Sequence, residues 1–453
     1  MLKAGSVKFQ YMVLAIAAAG CLAGCNTKYT IGGTVTGLTG SGLVLEDNSG
    51  DTLTVTANGA FTFSTGIANG DDYSVTVSTQ PTDPTQTCTV HNGSGTIDKA
   101  AISNVVVTCT QPGQFAYVVN QSSNDISVYA IDQTSGFLSP VAGSPFLSTG
   151  TTPVAIAVDP NGQFAYVANF ASNNLSVYSI DSATGALTAL GDTVATDVGP
   201  IAVTIDPSDT YLFVANQTAN DVSAYSIGAG TGVLTPLSPA TIATGRGPSA
   251  LTMDPGGNYL YVANFTDADV SVFSIGAVTD TTTGATTAAF SSIAGSPFGT
   301  GAGAISIAVD PTGTYVYVAD ETADAVSAFS ISASGGTLTP LAGSPFTTVS
   351  TSQALAIDPA GAHLYVANAT SANDVATYAI TPSTGALTLG GTVTAEGLPA
   401  SVAIDPAGTF AYVGNYNSGN VSVYSIDAAT GLLTPVKGSP FPARGEPRAI
   451  AVH

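Results

Sequence analysis

Positive charge is scarce in this chain: 8 Lys and Arg stand against 30 Asp and Glu in 453 residues, a formal net charge of −22. A chain this acidic cannot neutralise a run of phosphates, which excludes a nucleic-acid partner. Charges of both signs make up only 8% of residues, while 44% are hydrophobic, the reverse of a disordered chain. Tryptophan is absent and there are 4 cysteines, none in a CxxC. HExxH, P-loop, nucleophile-elbow and GxGxxG-after-strand patterns are also missing, so the common local signatures of catalysis give no lead. The apolar run at residues 11–19 is too short to span a bilayer as a helix.

What is present begins with an address. Lys3 and Lys8 precede that apolar run, which leads to Leu22-Ala23-Gly24-Cys25. This ending resembles a bacterial lipoprotein lipobox, in which small residues admit the signal peptidase and the Cys25 sulfur is lipidated. The plainer alternative is an ordinary signal peptide with an incidental cysteine. The resemblance implies a signal peptide over 1–24 and a lipidated Cys25 with a short tether over 25–30. Several acyl chains on one residue anchor durably where one would not. Asn26 stands where the usual inner-membrane retention signal is Asp, so the expected home is the outer membrane, on its periplasmic or surface side. The expected partners are the membrane, through the lipid, and an envelope protein or small ligand; the chain is expected to be a monomer.

Cys88 and Cys109 are then an even pair in an oxidising compartment, expected as a disulfide, with a metal pair as the competing reading. They fall in residues 29–110, which read as about seven short strands: 31–35, 43–45, 53–56, 60–63, 73–77, 88–90 and 105–109. Asn58-Gly59 reads as a tight hairpin. The expectation is a small disulfide-linked β-sandwich, similar to the Ig-like or prealbumin-like modules that follow the anchor in bacterial envelope proteins, serving as a spacer.

From residue 113 onward the chain repeats. FAYVVN at Phe115 recurs as FAYVAN at Phe164, YLFVAN at Tyr211, YLYVAN at Tyr259, YVYVAD at Tyr315, HLYVAN at His363 and FAYVGN at Phe410, at spacings of 49, 47, 48, 56, 48 and 47. Each copy belongs to a unit of four short strands, and seven such units form a seven-bladed β-propeller over 113–453. The first unit lacks an innermost strand and the last segment, 447–453, is an isolated one, so the ring is expected to close there and hide its edges. The recurring Tyr and the Asp of each Asp-Pro turn read as core and turn formers. The fold class is therefore all-β, a propeller preceded by a sandwich.

The repeat, DPxGxxxYVAN…VSVYxI…TGxLTPxxGSPF, resembles the lactonase-like seven-bladed propellers, the group containing 6-phosphogluconolactonase, and the related YVTN-repeat surface proteins. The resemblance implies a funnel mouth using His, Arg and Glu, where Glu321 and Arg448 match. It departs in having no His on that face. The meander places the turns after the second strand on the same face as the links into the innermost strand. Residues that break the repeat there are Arg246, Arg444 and Arg448 in the links, and Phe170, Phe265, Glu321 and Tyr416 in the turns. A few polar groups among apolar ones suit a small ligand, and Arg holds carboxylate or phosphate through two parallel bonds. The plainer reading leaves them as scattered surface groups. Three functions remain: a scaffold binding a protein, peptide or small anionic ligand, which is favoured; a lactonase-like hydrolase of a sugar-derived lactone using Glu321 and Arg448; and a structural stalk. No cofactor is expected, with a divalent cation as the one conceivable aid to hydrolysis.

Overall fold

A computed structural model describes residues 27–453, apart from 39, 49, 83–85, 111–113, 280–285 and 370–372. Residues 1–24, read above as a signal peptide, and Cys25 lie outside the described residues. The chain divides into two units, Met1–Pro112 and Gly113–His453. All regular structure among the described residues is β.

The N-terminal unit holds two four-stranded sheets. One orders Gly59–Thr62, Ile31–Thr36, Ile102–Thr110 and Thr87–His91; the other orders Asp51–Val55, Leu43–Asp47, Asp72–Thr79 and Ser94–Thr96. Alternate residues of both sheets meet in one core that includes Ile31, Val35, Val105 and Val107 from the first and Leu43, Leu45 and Val75 from the second. This is the alternation a two-sheet sandwich requires. Asn58-Gly59 does not close a hairpin. The strands it joins lie in different sheets, because the Asn58 side chain bonds the backbone N and O of Leu38, at 2.7 and 2.8 Å, and carries the chain across.

Cys88 and Cys109 face each other across two antiparallel strands and form a disulfide, both buried in this core. The bridge closes a separation of 21 residues. Replacing both with Ser is expected to destabilise this unit by about 3 kcal/mol. Urea unfolding followed by a probe in residues 27–110 checks this, and an unchanged midpoint would show the bridge to be dispensable.

The second unit is seven sheets arranged as blades. In the first blade, Pro447–Val452 is innermost, followed outward by Phe115–Asn120, Asp125–Ile131 and Leu138–Pro140. The innermost strands touch in succession around the ring, and the C-terminal one lies between those of the second and seventh blades. The ring therefore closes as the repeat predicts.

Repeated residues have repeated jobs. The third residue of each second strand (Tyr117, Tyr166, Phe213, Tyr261, Tyr317, Tyr365, Tyr412) is fully buried between blades. The Asp of each turn into that strand accepts backbone N–H bonds from the strand's first residue, as Asp310 does from Tyr315 at 2.5 Å and Asp405 from Phe410 at 2.8 Å. Gly136, Gly185, Gly232, Gly336, Gly385 and Gly431, at the equivalent turn of six blades, have a left-handed backbone and lie against a ring of the preceding blade. A Cβ at Gly185 would stand 2.3 Å from the ring of Phe115. In GSPF the chain leaves the outer strand, and the Ser Oγ replaces the lost ladder acceptor: Ser144, Ser296, Ser344 and Ser439 accept from Val128, Val272, Ala328 and Val423 N–H, each at 2.9 Å.

Candidate functional site

The mouth is built by two backbone devices repeated in every blade. First, each second strand ends in a fully buried Asn, or in Asp320. The next residue donates its N–H to the carbonyl just before an innermost strand. The pairs are Gln121–Glu446, Phe170–Thr152, Gln217–Gly199, Phe265–Gly247, Glu321–Gly303, Ala369–Thr351 and Tyr416–Leu398, at 2.8–3.0 Å. Seven equivalent bonds put seven side chains on one rim. Second, each innermost strand enters with a bulge, so that its second residue is skipped by the ladder. A bulge re-aims one side chain. The skipped residues are Arg448, Val154, Ile201, Ser249, Ile305, Gln353 and Ala400 in ring order. Arg448 is the only charged one.

Rim and bulge residues of blades one, two, three and seven, with Leu398, line an open cavity of about 330 Å³. Val154, Phe170, Ile201 and Leu398 form its apolar wall; Gln121, Gln217, Tyr416 and Arg448 supply its polar groups. Burial pulls the Arg448 guanidinium below its usual pKa, while Tyr416 and Glu321 act in the opposite sense by favouring its charge. Tyr416 donates its hydroxyl to Glu446 Oε2 at 2.9 Å. Burial and the Glu446 carboxylate push that phenol up, and Arg448 draws it down. On the other side of the rim, Gln353 Nε2 donates to Glu321 Oε1 at 2.5 Å.

Glu446 holds its place with a φ of 61°, where the equivalent residues of three blades are glycines, Gly199, Gly247 and Gly303. A side chain with this backbone costs about 1 kcal/mol or more. Thr152 and Leu398 have the same left-handed backbone at this position, with φ of 54° and 56°, so the conformation belongs to the repeat.

The residues expected from sequence thus separate. Arg448, Tyr416 and Phe170 line the same cavity; Glu321 is on the rim and electrostatically linked to Arg448; Phe265 is on the rim but not in the cavity wall. Arg246 is largely exposed and its Nε lies 2.7 Å from Asp267 Oδ1, in the neighbouring turn after the second strand. Arg444 is exposed and does not line the cavity. Gln353, Gln121 and Gln217 were not singled out in the sequence. The signal was there for Gln353, as a polar break in the second position of the innermost strands. His363 is buried on the opposite side of the blade sheet ends, with Nδ1 2.8 Å from Asp358 Oδ2, and packs on Gly431 as Phe115 packs on Gly185. Among the described residues no group of three His, Cys, Asp or Glu is placed to hold a metal ion.

Asp320, next to Glu321, breaks the buried Asn series. Its carboxylate accepts from Ser327 N and Oγ, at 3.1 and 2.6 Å, and burial pushes its pKa up to about 6. A carboxyl raised on folding holds a proton that the unfolded chain has released, so stability falls as pH rises from about 4 to about 6. Asp320→Asn is therefore expected to stabilise the propeller by on the order of 2 kcal/mol at pH 7.5 and to make little difference at pH 4. Thermal unfolding at the two pH values checks this. Equal Tm differences at both would refute it.

The family described as "Lactonase, 7-bladed beta-propeller" matches residues 73–243, 238–352 and 284–447 of this chain. No curated protein matches it. Among solved structures, a Bacteroides uniformis protein assigned as a 6-phosphogluconolactonase aligns with a TM-score of 0.64 and 21% identity, over 76% of this chain and all of that one. The periplasmic gluconolactonase of Pseudomonas aeruginosa aligns with a TM-score of 0.60 and 20% identity, over 75% of this chain and 98% of its own. Hydrazine synthase of Kuenenia stuttgartiensis aligns at 0.51 and 21% identity, over 69% and 92%. At these identities the likeness is one of fold, and the fold carries more than one chemistry.

Proposed function

This chain belongs to the lactonase family of seven-bladed β-propellers, and from that premise we propose that the mouth of its ring binds a small sugar-derived lactone and opens it with water. The observation that carries the reading is Arg448, the one charged residue among the seven that the bulges aim, set in a cavity whose volume suits a single sugar-sized ring. A lactone carbonyl becomes an oxyanion when water adds. A guanidinium partly buried at the mouth and aimed there by the bulge stabilises that charge at little reorganisation cost. Glu321, outside the cavity wall but near enough to act on the charge of Arg448 and oriented by Gln353, is the carboxylate assigned to take a proton from the attacking water. The tetrahedral adduct then expels the ring oxygen, which takes the proton that Glu321 accepted, and the product is an open hydroxy acid. Tyr416, held by Glu446, gives the substrate hydroxyls a polar wall opposite the apolar one. In this reading Cys25 carries the lipid and holds the monomer at the outer membrane.

A second reading is a recognition scaffold for a protein, peptide or anionic small ligand. It is favoured by the prior engagement of both mouth carboxylates, Glu446 by Tyr416 and Glu321 by Gln353. An aldonolactone panel separates the two, run with EDTA and with added calcium or zinc. The hydrolase reading expects turnover above the spontaneous rate and a fall of about 100-fold or more in Glu321→Gln. Background rates with every lactone in every condition would remove it and leave the scaffold.

A further inference from the structure

The end of the propeller opposite the mouth carries an unbalanced pair of carboxylates between the second and third blades. Asp159 opens the turn into the second strand of blade two. Its Oδ1 accepts the N–H groups of Gln163 and Phe164, both at 2.6 Å, which is the ordinary job of this residue. Its Oδ2 has no partner, although the residue is fully buried. In four other blades the second oxygen is taken: by Ser208 for Asp206, Asn258 for Asp254, Thr312 for Asp310 and His363 for Asp358. In blade two the side chain available for this, Asn161, turns away and donates to Asp209 Oδ2 at 3.1 Å.

Asp209 is itself a departure. It occupies, with a φ of 56°, the turn position that is glycine in five other blades: Gly162, Gly257, Gly313, Gly361 and Gly408. Its Oδ1 is also buried and unpartnered. Burial, and next the charge of Asp159, raise the Asp209 carboxyl above its usual range, and the bond from Asn161, which stands in the Asp159 turn, joins the two turns. Tyr166 completes the surroundings. Its hydroxyl donates to Gly232 O at 3.2 Å, and the phenol is held from ionising by burial, then by Asp209 and Asp159. The nearest imidazole, His453, is directed at Pro160 O, 3.3 Å away. The propeller's basic residues are elsewhere: Arg246, Arg444 and Arg448 at the mouth end, and Lys437 exposed after an outer strand.

Two buried carboxylate oxygens without a donor, on turns joined through Asn161, leave negative charge here with no cation among the described residues to balance it. The geometry points to a bound hard divalent cation, of which calcium is the natural probe, held by Asp159 and Asp209 and bridging blades two and three. A dication neutralises both carboxylates, and calcium accepts carbonyl, hydroxyl and water oxygens in flexible geometry. With two charged ligands rather than three or four, the site belongs to the weak class suited to an extracellular compartment, with affinity near 10⁻⁴–10⁻³ M as an order of magnitude, roughly. This is independent of the lactone reading, which concerns the other end of the ring.

The test uses the full chain freed of metal with EDTA, then given calcium, beside Asp209→Gly. Glycine is the resident of this turn in the other blades, so the variant is expected to fold and, in EDTA, to unfold at or above the wild-type temperature. Millimolar calcium is expected to raise the wild-type Tm by roughly 3 °C or more and the variant's much less. Terbium luminescence sensitised by tyrosine, in a chain without tryptophan, is expected to show one site that calcium displaces and that Asp209→Gly loses. Equal calcium shifts in the two proteins would overturn the proposal. So would a wild type that ignores calcium but grows more stable as pH falls from 7 to 4.5, since the two carboxylates would then be sharing a proton instead.

Discussion

Arg448→Ala is expected to leave the propeller folded and to lower kcat/KM for lactone opening by at least about 100-fold, the scale of removing one oxyanion donor. The repeat contains its own control for the fold. Ala400 and Val154 occupy the same bulged position in the two neighbouring blades, so a small apolar side chain is native to that backbone. The substitution also removes a cation that burial disfavours, so Tm is expected to hold or rise. Arg448→Lys keeps a charge but loses the planar fork, and its rate is expected between the two. The loss should fall on kcat at least as much as on KM, because the interaction strengthens as the oxyanion forms. Steady-state kinetics on the best lactone of the panel, with Tm measured alongside, decides it. A folded Arg448→Ala protein with wild-type kcat/KM would remove Arg448 from the chemistry and with it the central argument for this mouth.

Removal of residues 447–453 is expected to abolish cooperative unfolding of the propeller. Pro447–Val452 is the innermost strand of the first blade and pairs with Phe115–Asn120, Ala116 with Val452 through Asn120 with Pro447. Without it, a strand whose six residues are all buried presents a bare edge. The innermost strands of blades two and seven also lose the neighbour that joins them. Lost ladder bonds and the apolar area of Ile450 and Val452 together amount to at least about 4 kcal/mol, a large share of the stability of an ordinary domain. A peptide with the sequence of residues 445–453, added in trans, is expected to restore the transition by adding the strand back to the sheet. A truncated chain that melts at the wild-type temperature would show that closure contributes nothing.

The scaffold was legible along the chain because its determinants are local. Turn residues, strand period and the Thr-Gly and Ser-Pro signals act within a few residues of themselves, and these two signals each recur in five of the seven blades. The C-terminal closure could be read for the same reason, as a strand missing from one end and surplus at the other. The N-terminal unit was less transparent. Its seven expected strands are all present, but Asn58-Gly59 crosses between sheets because its side chain is captured by Leu38, 20 residues away. The site was the least transparent of all. Arg246 and Arg448 look alike in sequence, each within two residues of the Pro that leads an innermost strand. Arg246 comes before Gly247-Pro248 and points outward to Asp267. Arg448 comes after Pro447, on the bulge, and is turned into the cavity. Composition and repetition thus dictate seven sheets and an acidic surface. Which of the irregular side chains meet depends on the direction each bulge imposes and on the curvature that brings blades one, two, three and seven around one axis, contacts between residues hundreds of positions apart that no local pattern encodes.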